Sequence, residues 1–134
     1  MTQKLANVTI VVKDYDEALN FFTQKLSFKL IEDTKLTDQK RWVLVSPPGD
    51  NSCCILLAKA ANKRQKASIG NQTGGRVAFF LHTDNFWRDF DRLNENKIHF
   101  IRQPEVQEYG TVAVFEDLYG NLWDLVQPKV DDNK

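Results

Sequence analysis

Three polar side chains interrupt segments that otherwise alternate like apolar strands. Asn7 opens NVTIVV, Arg76 opens RVAFFLH, and Asp124 lies within LWDLVQ. Successive side chains of a strand point to opposite faces of a sheet, so each polar group shares a face with apolar neighbours. Mixed faces of this kind are unusual for a core and typical of a concave ligand pocket.

Two further side chains are candidates for such a pocket. His82 shares a strand face with Arg76 but lies near the end of the strand, so it is read either as a surface histidine or as a base. Arg41 and Trp42 are neighbours on another strand, and one of the two would point over the pocket. His99 lies in a predicted strand between Ile98 and Phe100 and is interpreted as structural.

An internal repeat predicts the architecture that positions these residues. Residues 7–30 and 76–101 follow the same plan of strand, aspartate, aromatic-rich helix, polar break and strand. The plan predicts two copies of a βαβββ-like module, related by a pseudo-twofold axis. By this offset Arg76 is the counterpart of Asn7, and Asp124 that of Leu56.

The repeat also predicts the organisation of the chain as one domain, 1–134. The first module spans about 4–59, a polar linker about 60–75, and the second module about 76–128, followed by a polar tail over 129–134. Alternation and turn residues predict eight strands, at about Ala6–Val12, Phe28–Asp33, Arg41–Ser46, Cys53–Ala58, Arg76–His82, Ile98–Arg102, Thr111–Phe115 and Leu122–Gln127. A turn is predicted at residues 47–50.

Each module is predicted to have one packing helix. Asp14 begins the first helix, which runs to about Lys25. Asp84 is the expected N-cap of the second helix, Asn96 its left-handed C-cap, and Trp87 part of its buried stripe. Strand alternation predicts that the second helix meets Val77, Phe79 and Leu81 of the fifth strand. The opposite face then carries Arg76, Ala78, Phe80 and His82.

Composition excludes several classes of function. The 18 basic and 18 acidic residues give zero net charge, which argues against a nucleic-acid partner. No apolar run approaches the length of a membrane span, and the N-terminus lacks a signal-peptide pattern. Cys53 and Cys54 are adjacent, fit no metal or redox motif and are read as reduced cysteines. These features predict a cytoplasmic protein without a membrane partner.

The opening NVTIVVKDYDEALNFF and the closing VAVFEDLYGNLWDLVQP resemble the vicinal oxygen chelate superfamily, which includes glyoxalase I, bleomycin-resistance proteins and extradiol dioxygenases. The stretch GNQTGGRVAFFLHTDNFWRDF resembles a bacterial, glyoxalase-like branch of that group. The resemblance covers about residues 4–128. It implies an α+β fold in which two paired βαβββ modules form an incomplete barrel around a cleft, and it implies a homodimer.

In metal-dependent members of the superfamily, four strand positions supply His or Glu ligands to a divalent ion. Carried over by the resemblance, these positions fall on Asn7, near Leu56, and on Arg76 and Asp124. Among them only Asp124 is a good ligand for a divalent ion, and a guanidinium repels one. The sequence therefore predicts no metal and no other cofactor.

The same positions allow two interpretations of Arg76 and Asp124. They form a buried structural ion pair, or Arg76 anchors an anionic or carbonyl-bearing ligand while Asp124 orients it and Asn7 adds a hydrogen bond. The second interpretation predicts a metal-free small-molecule-binding protein. The alternatives are a metal-dependent lyase, isomerase or dioxygenase of glyoxalase type, and a drug-sequestering protein of bleomycin-resistance type. Whether the chain is an enzyme stays open at this point.

Overall fold

The computed structural model describes residues 1–49 and 53–130. The pattern of contacts divides the chain into two units, Met1–Gln72 and Thr73–Lys134. Each unit contains a four-stranded sheet with one parallel and two antiparallel pairings. This architecture confirms the predicted α+β fold with two βαβββ modules.

The first module has its strands in the order β1-β4-β3-β2. Its elements are β1 (Asn7–Val12), α1 (Tyr15–Asn20) continuing as a π-helical segment (Phe21–Lys25), β2 (Lys29–Lys35), β3 (Arg41–Ser46) and β4 (Cys54–Lys59), followed by α2 (Lys63–Ser68) in the linker. Of the turn predicted at residues 47–50, Asp50 lies outside the described residues.

The second module repeats this order as β5-β8-β7-β6. Its elements are β5 (Val77–His82), α3 (Phe86–Glu95), β6 (Phe100–Gln107), β7 (Gly110–Glu116) and β8 (Leu122–Pro128). Strand β6 begins two residues later than predicted and is longer. None of the helices formed by residues 1–49 and 53–130 has the length and hydropathy that a membrane-spanning segment requires.

Helix α1 begins where the sequence predicts and covers one face of the first sheet. The Asp14 carboxylate accepts a hydrogen bond from the Glu17 backbone N–H at 2.8 Å, which satisfies one of the unpaired donors at the helix start. Ile10, Ala18 and Phe22 are fully buried. The core of this module therefore lies between α1 and the β1 face that carries Ile10.

A row of aromatic rings crosses the core face of the second sheet, with one ring from each strand. Phe79 of β5 pairs with Trp123 of β8, which pairs with Phe115 of β7, which pairs with Phe100 of β6. The Phe79 and Trp123 rings stack with centroids 4.4 Å apart, and Phe90 of α3 packs on Phe100 at 4.7 Å. Aromatic pairs at such distances add about 0.5–1.5 kcal/mol beyond their burial.

The predicted N-cap of α3 is wrong by one residue, and the predicted C-cap, Asn96, is in place but lacks the left-handed backbone expected of it. The N-cap is Asn85, whose side chain accepts from the Arg88 backbone N–H at 3.1 Å, while the Asp84 carboxylate binds the Arg88 guanidinium at 2.9 Å. At the other end the left-handed residue is Lys97, with φ of 64°, and not Asn96. The turn falls there because the N–H of the following residue bonds back to the Leu93 carbonyl at 3.0 Å.

The prediction that Trp87 belongs to the buried stripe of α3 is also wrong. Trp87 is 54% exposed, whereas Phe86 is fully buried and Leu93 is 2% exposed. Successive helix residues are about 100° apart, so a helix that buries Phe86 and Leu93 turns Trp87 away from the core.

A β-bulge in β5 corrects the predicted faces of that strand. Val77 pairs with Leu122, but the next pairings are Phe79 with Trp123 and Phe80 with Asp124, so Ala78 is the extra residue. Val77 therefore shares the face of Leu122, not the helix-facing side predicted for it. The bulge leaves the predicted faces of Phe79 and Phe80 unchanged.

The turn between β7 and β8 is organised by one buried carboxylate. Asp117 Oδ1 accepts from the backbone N–H groups of Tyr119, Gly120 and Asn121 at 3.0–3.1 Å, and Oδ2 accepts from Trp123 Nε1 at 3.0 Å. Burial raises the pKa of Asp117, and these hydrogen bonds oppose the shift. The carboxylate thus joins the turn to Trp123, one of the two inner rings of the aromatic row.

We expect Asp117→Ala to lower the free energy of unfolding by about 3 kcal/mol, because it leaves the buried Trp123 N–H and several backbone donors unpaired. Equilibrium urea unfolding followed by Trp fluorescence measures the change. Asp91→Ala, at an exposed position of α3, is the matched control and should stay within about 0.5 kcal/mol of the parent. Equal losses in the two variants would contradict this role of Asp117.

Candidate functional site

A second cross-strand row lies on the face of the second sheet opposite the aromatic rings. Phe80 pairs with Asp124, Asp124 with Val114, and Val114 with Arg102, so each strand again contributes one residue. Directly paired residues project from the same face of a sheet. The row therefore places one carboxylate and one guanidinium among apolar side chains on a single surface.

The Asp124 carboxylate on this surface lacks a hydrogen-bond partner for one of its oxygens. Its Oδ1 atom is buried and has no hydrogen-bond partner among the described residues. Burial raises the pKa of Asp124, and the charges of Arg102 and His82 only partly oppose that shift. A buried acceptor left unpaired costs about 1–3 kcal/mol. The position is therefore unfavourable for folding, as binding sites often are.

A pocket of about 400 Å³ opens beside this row within the second module. Its lining combines apolar side chains with two arginines and includes Phe80, Ile101, Val114, Leu122, Arg76 and Arg102. An apolar pocket with a few polar groups at its edge is the usual form of a small-molecule site. Its volume lies within the range of ordinary small-molecule sites.

The structure does not form the ion pair anticipated between Arg76 and Asp124. Asp124 Oδ1 has no partner, and no ion pair within 4.0 Å involves Arg76 in the described part of the chain. Arg76 is exposed and precedes the first residue of β5. Arg76 is thus available to a ligand at the pocket, whereas the unpaired oxygen of Asp124 is buried behind the residues that line it.

The sheet register also corrects the counterpart of Asn7. Asn7 pairs with Cys54 in the first module, and Val77 pairs with Leu122 at the corresponding place in the second. Val77, and not Arg76, is therefore the positional counterpart of Asn7. In contrast, Leu56 pairs with Leu44 and Thr9 much as Asp124 pairs with Val114 and Phe80, which agrees with the predicted equivalence of Leu56 and Asp124.

Arg41 is held by two carboxylates of the first module. Its guanidinium binds Asp33 at 2.7 and 3.1 Å and Asp16 at 2.8 Å, and lies over the Tyr15 ring at 5.2 Å. The two carboxylates raise the pKa of Arg41 further above its usual range. Arg41 therefore joins β2, β3 and α1, and a ligand would have to compete with these partners.

A larger pocket of about 620 Å³ lies within the first module, and Arg41 is part of its lining. Apolar residues Trp42, Leu56 and Ala58 contribute to it, together with Tyr15. The predicted candidates Asn7 and His82 line neither this pocket nor the one beside Asp124. The charge of His82 lowers the pKa of Asp124, which places His82 near the second-module site.

Arg102 is the site residue that sequence reasoning missed. It lies in β6 after a register shift, so simple alternation along the strand misassigns its face. Its pairing with Val114, the neighbour of Asp124, brings it into the row. The one signal for it in the sequence is the charge of Asp124, which requires a cation nearby.

The residues present do not fit a divalent metal ion. Within residues 1–49 and 53–130, no three His, Cys, Asp or Glu side chains come together as a possible metal site. The groups whose positive charge lowers the pKa of Asp124 are Arg102 and His82. A guanidinium offers no lone pair to a metal. The chemistry of this row suits hydrogen bonding and anion binding better than metal coordination.

Comparisons with known proteins agree with this architecture. A family model described as the Glyoxalase/Bleomycin resistance protein/Dioxygenase superfamily matches residues 4–125. An uncharacterized protein of Shewanella frigidimarina (strain NCIMB 400) is 58% identical over 128 residues, or 95% of each chain.

Solved structures show the same fold. The crystal structure of UcmS2 has a TM-score of 0.82 at 28% identity, covering 94% of this chain and 98% of that one. TnmS3, an antibiotic binding protein from Streptomyces sp. CB03234, has a TM-score of 0.79 at 24% identity over 96% of this chain and 98% of that one, a likeness that concerns the fold alone. With the family model matching most of its length, the chain belongs to the glyoxalase/bleomycin resistance protein/dioxygenase superfamily.

Proposed function

We propose that this chain is a small-molecule-binding protein whose second module binds an apolar ligand with two polar groups. An anionic or carbonyl group of the ligand pairs with Arg76 at the edge of the pocket, assisted by Arg102. A hydroxyl or amine hydrogen of the ligand is donated to Asp124. No divalent metal takes part in this binding.

The observation that supports this proposal most strongly is the buried, unpaired oxygen of Asp124. The first module has Leu56 at the equivalent position, so the fold itself does not need an acid there. An unpaired buried carboxylate is costly, and a ligand donor would remove that cost. The cost of Asp124 is thus understandable if the group binds a ligand.

The two arginines support the choice of an anionic or carbonyl-bearing ligand. Arg76 and Arg102 are both exposed and form no ion pair within 4.0 Å in the described part of the chain. A guanidinium presents a planar fork of donors that matches a carboxylate. Apolar Phe80, Val114 and Leu122 would contact the remainder of the ligand.

The two alternative functions fit the site less well. A metal-dependent lyase, isomerase or dioxygenase would need a ligand set that Asp124 does not have around it. A drug-sequestering site for a basic drug would need net negative charge, whereas the charged residues that line the pocket are two arginines, Arg76 and Arg102. Like charges facing each other across an interface disfavour binding.

Benzoate and meta-hydroxybenzoate are suitable probes of this proposal, because they differ only in one hydrogen-bond donor. We expect the hydroxylated acid to bind about tenfold more tightly, since a hydrogen bond to a charged group contributes about 1.5–3 kcal/mol. Asp124→Leu, which removes the acceptor, should abolish this difference, and Arg76→Ala should weaken both acids about tenfold. Isothermal titration calorimetry and NMR shift titration measure the affinities.

Arg64→Ala is the matched control, because it removes an exposed arginine from α2 of the first module. It should leave both affinities unchanged. The proposal fails if neither acid binds, if Arg76→Ala has no larger effect than Arg64→Ala, or if benzylammonium binds more tightly than the two acids.

Asp124→Leu tests the energetic cost of the site without any ligand. The folded protein raises the pKa of Asp124, so the group contributes less stability as pH rises from the ordinary aspartate range through its raised value. At neutral pH the variant should therefore be more stable by roughly 1 kcal/mol, and the gain should shrink in acid. Thermal and urea unfolding measure it.

Asp91→Leu, which replaces an exposed acid on α3, is the control for this experiment. It should not show the same pH-dependent gain. If Asp124→Leu destabilised the protein at neutral pH, the carboxylate would be a structural group and the proposed site would lose its main support.

A further inference from the structure

One end of the second sheet carries a small groove on the face that α3 covers. Val106, Thr111 and Gln127 are paired in a row across β6, β7 and β8, so their side chains project from one face. Alternation along β8 gives Gln127 the same face as the buried Trp123. The groove therefore lies on the face opposite the Asp124 row and is separate from the ligand site proposed there.

The position at which α3 begins leaves this end of the face open. The Phe86 N–H donates to Gln127 Oε1 at 2.7 Å, which fixes the start of the helix at the end of β8. Trp87 follows directly and is 54% exposed. A groove of about 350 Å³ is lined by Trp87 together with Val106 and Thr111 of the β6–β7 hairpin. This volume lies within the range of small-molecule sites.

The Trp87 ring is held by its neighbours although it is exposed. It packs on Phe86 at 5.1 Å and on Phe90 at 5.8 Å, with interplanar angles of 85° and 83°. Neither ring therefore lies parallel to the indole and covers its face. A ligand that packs on a ring already held in place costs less conformational entropy than one that must order a mobile side chain. Trp87 is thus a prepared platform for a flat apolar face.

The groove also presents hydrogen-bond donors and acceptors beside this platform. Thr111 contributes a hydroxyl and Lys129 an ammonium group. Gln107 contributes an amide oxygen, since its Nε2 already donates to Glu105 at 2.8 Å. Gln127 contributes its Nε2, because its Oε1 accepts from the first N–H of α3. A ligand in this groove therefore needs an apolar face and several groups that both donate and accept.

A pyranose sugar has this combination of groups. Its axial C–H bonds form a flat apolar face that packs on an indole, and each of its hydroxyls both donates and accepts. An aromatic hydrocarbon would bury the polar lining without hydrogen bonds, which weakens binding. A carboxylate would be matched by Lys129 alone among the described lining residues, and a lysine is a point charge without the planar fork of an arginine.

We propose that this groove is a saccharide-binding site for a single pyranose ring. The apolar face of the sugar packs on Trp87 and Val106. Its hydroxyls bond to Thr111, Gln127 and Lys129. The site goes beyond the proposed ligand site of the second module and does not depend on it.

Methyl β-D-glucopyranoside is a suitable probe, because its ring substituents are all equatorial and both of its faces carry axial C–H bonds. NMR titration of the whole chain follows the Trp87 indole N–H and the Gln127 side-chain amide. We expect saturable shifts of both signals. Trp87→Ala should weaken binding at least about tenfold through loss of the packing surface, and Thr111→Val about threefold through loss of one hydroxyl.

Thr34→Val is the matched control, because it removes an exposed hydroxyl from a strand of the first module. It should leave the affinity for the glucoside unchanged. Sorbitol has the hydroxyls without the ring, and benzyl alcohol has a ring with one hydroxyl, so both should bind more weakly than the glucoside. The proposal is overturned if the glucoside causes no saturable shift, if folded Trp87→Ala binds it as the parent does, or if either comparison probe binds more tightly.

The outcome is distinguishable from that of the ligand site on the opposite face. Meta-hydroxybenzoate should shift the signal of Asp124 and leave the Trp87 and Gln127 signals unchanged. Saturation with this acid should also leave the affinity for the glucoside unchanged. An acid that displaces the glucoside would overturn the assignment of a separate saccharide site.

Discussion

Each module has one packing helix for four strands, so its own helix covers only one face of its sheet. In the second module the covered face is filled by the aromatic row from Phe79 to Phe100, and the opposite face carries the row from Phe80 to Arg102. Because successive residues alternate between faces, the two rows come from adjacent positions on the strands. The pattern that builds the core therefore also determines which side chains are left for binding.

The two sheets differ on the face opposite their own packing helix. The first places Leu56 at the position where the second places Asp124, although the pairing of the strands is otherwise alike. The second module thereby accepts a buried oxygen without a partner and a carboxylate whose pKa is raised by burial. A difference between otherwise matching modules, at a cost to stability, is the strongest reason to assign function to the second sheet.

The repeat and the alternation of apolar residues were enough to predict the two βαβββ modules and the start of the first helix at Asp14. These patterns failed where one extra or shifted residue changes the face that the following side chains occupy. The bulge at Ala78 moved Val77 to the other face, and the start of α3 at Phe86 exposed Trp87. Register shifts and helix starts depend on contacts between segments distant in sequence, which periodicity alone does not contain.

The same limit applied to the site. Asp124 was selected as a polar residue on an apolar strand, and one interpretation paired it with Arg76, but the structure places Arg102 across the sheet instead. Arg41, selected as a ligand-binding residue, is held by Asp16 and Asp33 in the first module. Residue type thus indicated the kind of chemistry, while the partners of each charge required the sheet register.

The central claim is that Asp124 is a buried carboxylate with one unpaired oxygen that a ligand binds. An NMR pH titration of its carboxyl carbon tests this most directly. Asp91, exposed on α3 of the same module, is the internal reference. The account predicts that Asp124 titrates at a higher pH than Asp91, and that meta-hydroxybenzoate shifts the Asp124 signal but not that of Asp91. An Asp124 that titrates at or below the pH of Asp91, with a signal that the probe leaves unchanged, would contradict it.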